Sequence, residues 1–144
     1  MIQRIMLLAT VSLLAACGPG RIEKPNTNLS TLIEIVYLDT GNNTINFRLS
    51  HRQADTRAPS TLECRLRIND GVYQALPSLQ IPELTAYARE RFSWGLPKDH
   101  SIPIKDRIEY TLDCSLKSKE SRDEYFKSRG ALYRLGEQEP PVYR

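Results

Sequence analysis

The chain has 144 residues, 40% of them apolar, 26% charged and 8% aromatic, which is the composition of a folding domain rather than of a disordered tail. Its 20 Lys and Arg against 17 Asp and Glu leave a net charge of +3, too small for a nucleic-acid footprint, so no nucleic-acid partner is expected. With 7 Gly and 9 Pro there is no low-complexity bias, and the length suits a single core.

The chain opens with Met1-Ile-Gln-Arg4, continues with the apolar or small run Ile5 to Ala16, and breaks at Cys17-Gly18-Pro19-Gly20. A cation, an apolar run and small residues come in the order that export requires, so residues 1–16 read as a signal peptide. As a helix the run would span roughly 18 Å, short of the roughly 30 Å hydrocarbon core, which makes a permanent membrane span a poor reading.

Leu14-Ala15-Ala16-Cys17 resembles the lipobox of bacterial lipoproteins. The resemblance implies cleavage before Cys17, diacylglycerol on its thiol and an acyl chain on the freed amine, making the membrane a partner through that lipid. Each buried CH₂ contributes about 0.8 kcal/mol, so several chains on one residue anchor durably where one would not. Gly18 stands where an inner-membrane retention signal has Asp, which implies the outer membrane, facing the periplasm, in a Gram-negative host. Residues 17–30 then form the lipidated cysteine and a flexible tether rich in Gly and Pro, ahead of a domain over 31–135 and a tail over 136–144.

Within the domain the dominant signal is alternation of period two. Thr31 to Leu38 is β-branched and apolar, and Ile45, Phe47 and Leu49 alternate with Asn46, Arg48 and Ser50. Leu62, Cys64, Leu66 and Ile68 oppose Glu63, Arg65 and Arg67; Val72 to Leu76 follows the Asn69-Asp70-Gly71 turn. Phe92 and Trp94 alternate with Arg91 and Ser93; Ile108, Tyr110, Leu112, Cys114 and Leu116 oppose Glu109, Thr111, Asp113 and Ser115. A last strand is expected over Gly130 to Leu135 before Pro140-Pro141. The polar stretch from Lys117 to Arg129, with Tyr125 and Phe126 inside it, is expected to be a long loop.

Once Cys17 carries lipid, Cys64 and Cys114 remain as an even pair in a compartment that permits disulfides, and they are expected to be bonded. Both lie on apolar faces, so the bond belongs in the core, either between sheets or between neighbouring strands. About seven strands around one buried cystine and one Trp predict an all-β fold, an antiparallel β-sandwich. Cys64, Trp94, Cys114 and the phrase Arg107-Ile-Glu-Tyr110-Thr-Leu-Asp-Cys114 resemble the immunoglobulin-like class. Trp94 follows Cys64 by thirty residues and Tyr110 precedes Cys114 by four, both unlike the antibody-type spacing.

No catalytic residue is assigned, because the chain has no nucleophile elbow, no His-Glu-x-x-His and no glycine-rich phosphate loop. His51 and His100 are far from each other and neither pairs with a cysteine at ligand spacing, so no metal and no cofactor is expected. His51 reads as a surface cap and His100 as part of a solvated loop. The feature that suggests recognition is arginine on the outward positions of strands: Arg48, Arg65, Arg67, Arg89 and Arg91 would grip carboxylates or phosphates if they shared a sheet. Tyr125 and Phe126 add the aromatic component of a protein contact. The sequence therefore points to a lipid-anchored envelope lipoprotein whose β-sandwich binds, without catalysis, another envelope protein or envelope component. The alternatives are an accessory lipoprotein of a multi-component envelope or secretion machine, and an envelope hydrolase or hydrolase inhibitor.

Overall fold

The computed structural model describes residues 30–144; the expected signal peptide, Cys17 and the expected tether before Ser30 lie outside the described residues. The described residues form strands β1 (Thr31–Asp39), β2 (Thr44–His51), β3 (Ser60–Ile68), β4 (Gln74–Ala75), β5 (Leu79–Ile81), β6 (Arg89–Gly95), β7 (Arg107–Lys117), β8 (Glu124–Tyr133) and β9 (Val142–Tyr143). Among them no helix is long and apolar enough to cross a membrane.

Two antiparallel sheets pack face to face, as the alternation requires. One runs β6-β2-β1-β9; the other runs β4-β3-β7-β8, with β5 also paired to β3. The chain builds β1 and β2 in the first sheet, crosses for β3, returns for β6, and crosses again for β7 and β8. That alternation between layers is the immunoglobulin-like strand order, with the short β4 and β5 standing where a longer edge would be. Between the sheets lie Ile33, Ile35, Phe47, Leu49, Leu62, Leu66, Trp94, Leu112 and Leu116. The Trp94 ring stacks on Phe47 with centroids 3.8 Å apart.

The cystine joins neighbours within one sheet. Cys64 and Cys114 are register partners on β3 and β7, bonded to each other, with a Cα separation of 4.2 Å. Asn69 N donates to Glu109 O in the same ladder, which makes the odd-numbered β3 residues the hydrogen-bonded positions and leaves Cys64 at a non-hydrogen-bonded one. There the strands approach most closely, so two thiols can meet. The in-sheet placement accounts for the unusual Cys–Trp spacing: Trp94 sits on β6, across the sandwich from the bond's sheet.

A tyrosine ties the two sheets together. Ile35 N, next to the irregularity between Ile35 and Tyr37 in β1, donates to Tyr110 Oη of β7 at 3.2 Å. Tyr110 lies beside Gly130, its register partner, and a methyl group there would come within 2.5 Å of the hydroxyl. Burial pushes the Tyr110 hydroxyl above the ordinary tyrosine range, against the Ile35 amide, which lowers it; the Glu34 charge adds to the rise.

Three expectations change. The polar stretch after Lys117 is a loop only to Asp123, because β8 starts at Glu124 and pairs Phe126 with Cys114. The expected strand over 130–135 is thus the end of a longer one, missed because Gly130 and the many charges hide the inward row Phe126, Ser128 and Leu132. The residues after Gly136 also return to the fold: Val142 and Tyr143 pair with Asp39 and Leu38, and Tyr143 is fully buried.

Candidate functional site

The five arginines do not form one stripe. β2 and β6 place Arg48, Arg89 and Arg91 on the outer face of the four-stranded sheet, while β3 places Arg65 and Arg67 on the other sheet. Opposite sheets of a sandwich turn their outer faces in opposite directions, so the two groups cannot meet one ligand surface.

Within the second group Arg65 is paired, while Arg67 has no acidic partner among the described residues and its buried Nε has no hydrogen-bond partner. Arg65 donates through Nε and Nη2 to Asp113 Oδ2 at 2.9 and 2.6 Å, across the β3–β7 pair. Arg65 and Arg67 both lie over the Tyr73 ring, at 4.4 and 5.0 Å from its centroid. Tyr125 is exposed on the same outer face, with Lys117 Nζ 5.9 Å from its ring centroid. Phe126, which the sequence grouped with Tyr125 as a contact residue, points the other way and is buried in the core at 5% exposure, so it cannot touch a partner. Successive residues of a strand face opposite sides, which separates the two rings once they lie on β8 rather than in a loop.

The other outer face has an unbalanced row of charge. Glu34 of β1 stands opposite Arg48 of β2, and Arg48 stands opposite Arg91 of β6. Glu34 Oε2 accepts from Arg48 Nη2 at 2.6 Å, and among the described residues Arg91 and Arg89 have no acidic partner. Next to this row Ser93 Oγ donates to Asn46 Oδ1 at 2.5 Å. An open groove of about 470 Å³ passes over Val36, Tyr37, Asn46, Arg91 and Ser93 toward Leu135 and Arg144. A guanidinium beside hydroxyl, amide and phenol groups can hold a carboxylate or another small anion by charge-assisted hydrogen bonds.

A second hollow, of about 670 Å³, opens at the end of the sandwich where Ser30 enters. Its most enclosed ionic groups are paired: Arg57 Nη1 lies 3.1 Å from Glu124 Oε2, and Thr31 Oγ1 donates to that same oxygen at 2.8 Å. His51 faces this hollow, buried at 3% exposure with Nε2 2.7 Å from the Asp55 carbonyl, rather than capping the surface. His100 Nδ1 accepts from Ile102 N at 3.4 Å within its loop. Among the described residues no group of three or more His, Cys, Asp or Glu side chains could hold a metal ion.

Compared with known proteins, the chain matches no family model and no curated sequence.

Proposed function

We propose that this is a lipid-anchored cell-envelope lipoprotein whose β-sandwich binds a protein or envelope component through the outer face of the β6-β2-β1-β9 sheet, without catalysis. The anchor reading rests on Leu14-Ala15-Ala16-Cys17 and the short apolar run before it. The binding reading rests on one observation: Arg91 and Arg89 are exposed side by side on one face with no acidic partner among the described residues, Arg91 directly opposite Arg48, whereas of the other candidate arginines Arg48 and Arg65 are each paired to a carboxylate and Arg67, also without one, lies over the Tyr73 ring. An unpaired guanidinium set directly against another is unfavourable for the isolated sheet, so its presence is better accounted for by an acidic contact from outside.

Two measurements test the reading in cells of the native host. Radiolabelled palmitate should enter the full-length protein and vanish from Cys17→Ser, which should leave the membrane fraction; label retained in the variant would remove the anchor. A photo-crosslinking residue at Ser93 should trap one dominant species that the same probe at Tyr125, on the opposite sheet, does not. Equal capture from both positions, or none from Ser93, would remove the binding face.

A further inference from the structure

β6 is the outermost strand of its sheet, paired on one side only, to β2. The hydrogen-bond phase of that pair decides which backbone groups are free. His51 N donates to Ala88 O at one end and Leu96 N donates to Asn43 O at the other, and the register between them is uninterrupted. Glu90, Phe92 and Trp94 are therefore the residues bonded to β2, and Arg89, Arg91, Ser93 and Gly95 turn both N–H and C=O to the open edge. Those four residues are also the exposed ones, and none of their backbone groups has another hydrogen-bond partner among the described residues.

Side chains and backbone at this edge specify one kind of strand. On the outer face the row Glu34, Arg48, Arg91 ends in an uncompensated cation, and Arg89 stands one step along β6 on the same face. On the inner face Phe92 and Ala88 are only partly buried against the core, with Glu90 between them. We propose that an extended segment of a partner protein, with acidic residues alternating with apolar or uncharged ones, adds to β6 as a further strand. Its acids would sit beside Arg89 and Arg91 and complete a minus-plus-plus-minus row. Its alternate residues would turn inward and cover Phe92, with an uncharged one facing Glu90. Backbone hydrogen bonds from Arg89, Arg91 and Ser93 would supply affinity, and the arginines the choice of sequence.

A second copy of this chain is a poorer occupant of the edge. Two β6 strands in antiparallel pairing would place four guanidinium groups on one face with no carboxylate among them, and arginine on an edge strand opposes such pairing.

This inference rests on the binding face proposed above, and it has its own test. The full-length protein in detergent is applied to an array of capped octapeptides in which Asp or Glu alternates with Val, Ile, Leu, Phe or Thr, beside counterparts carrying Lys for each acid. Soluble hits are titrated while the emission of Trp94, the one tryptophan and a β6 residue, is followed. We expect the acidic set alone to bind, with affinity falling at least tenfold in Arg89→Glu/Arg91→Glu. Ser93→Pro should abolish binding: it removes an outward N–H without breaking a bond to β2, a substitution an edge strand tolerates. N-methylation of alternate peptide amides, which needs no variant to fold, should do the same.

Binding that survives N-methylation, or equal binding of the Lys set, would overturn the proposal. So would a β6-dependent dimer seen by sedimentation. If acidic peptides bind only after deletion of residues 18–29, the chain's own tether occupies the edge and the partner strand is wrong. If no peptide binds while crosslinking from Ser93 still captures one species, strand addition fails and the binding face stands.

Discussion

Arg48 and Arg91 stand directly opposite each other on β2 and β6, at a non-hydrogen-bonded pair where side chains lie closest, and Glu34 neutralises only the first of them. The pairing costs the isolated sheet a little and gives the outer face an unspent positive charge at its free edge. On the other sheet Arg65 stands opposite Asp113, at a hydrogen-bonded pair, and the two simply neutralise each other.

Replacing Arg91 separates the two roles of this residue. Arg91→Thr relieves the like-charge pair and should leave the domain as stable or more so, by about 0.2–1 kcal/mol, while capture of a partner from Ser93 falls. Thermal unfolding and crosslinking on the same preparation check both halves. A lowered melting temperature would mean that Arg91 supports the fold instead.

Removing the staple should be costly. The bond closes a span of 50 residues between Cys64 and Cys114, and the chain-entropy account assigns such a loop roughly 4 kcal/mol, with 2–5 usual for small secreted domains. Cys64→Ser should free one thiol at Cys114, detectable with a thiol reagent, and lower the melting temperature by on the order of 10 °C. A melting temperature within about 2 °C of the parent would show that the paired strands hold without it.

Tyr110 should report the contact between the sheets. Tyr110→Phe leaves the Ile35 N–H buried without its acceptor and should cost about 1–3 kcal/mol. Gly130→Ala drives a methyl into the same hydroxyl and should destabilise by a comparable amount, since the neighbour is a packed ring rather than a flexible chain end. Denaturant melts of the two variants and the double variant would also give their coupling; strict additivity would count against a shared site.

Alkaline pH should act on the same tyrosine. Its folded pKa is raised, chiefly by burial, so the fold favours the neutral phenol. That contribution is complete below the unfolded value of about 10 and is lost as pH rises through the folded value. Absorbance titration at alkaline pH should show one late-ionising tyrosine that disappears in Tyr110→Phe, with the melting temperature of the parent falling over the same range. Identical titrations of parent and variant would contradict this.

The ion pair at the Ser30 end of the sandwich gives an independent check on the fold. Arg57 is 6% exposed and Glu124 18%, so removing the carboxylate leaves a guanidinium nearly enclosed. Glu124→Gln should cost about 2–4 kcal/mol, somewhat below the full penalty for breaking a deeply buried pair, because the hollow admits water. Urea unfolding measures it, and a loss under 1 kcal/mol would show that the Leu116 carbonyl and Ser60 Oγ, which accept from Arg57 Nη2 and Nε at 3.1 and 3.2 Å, suffice to hold the guanidinium.

Most of the sandwich was legible because period-two alternation is a local property. Ile45, Phe47 and Leu49, or Leu62, Cys64 and Leu66, announce their inward face within a few residues. β8 was half hidden because its inward row is Phe126, Ser128, Gly130 and Leu132, in which two members are not hydrophobic. Ser128 is inward because its hydroxyl donates to the Ile33 carbonyl on the other sheet, and Gly130 because Tyr110 occupies the space. Neither reason can be seen without the facing sheet. The candidate face shows the same limit: each arginine was visible as outward, yet its sheet was not.

By itself the amino-acid order determined most of the long strands, the apolar faces that must meet, the pairing of Cys64 with Cys114 once Cys17 is read as lipidated, and the arginines left outside. Those follow from alternation, from thiol parity and from the cost of burying charge, all of which act over a few residues or on simple counts. Tertiary structure alone decided that the cystine links neighbours in one sheet, that Phe126 faces the core, and that Arg89 and Arg91 are separated from Arg65 and Arg67. It also decided that the open edge is β6. These depend on which strand crosses to which layer, a choice made by packing and ladder hydrogen bonds between residues far apart in the chain.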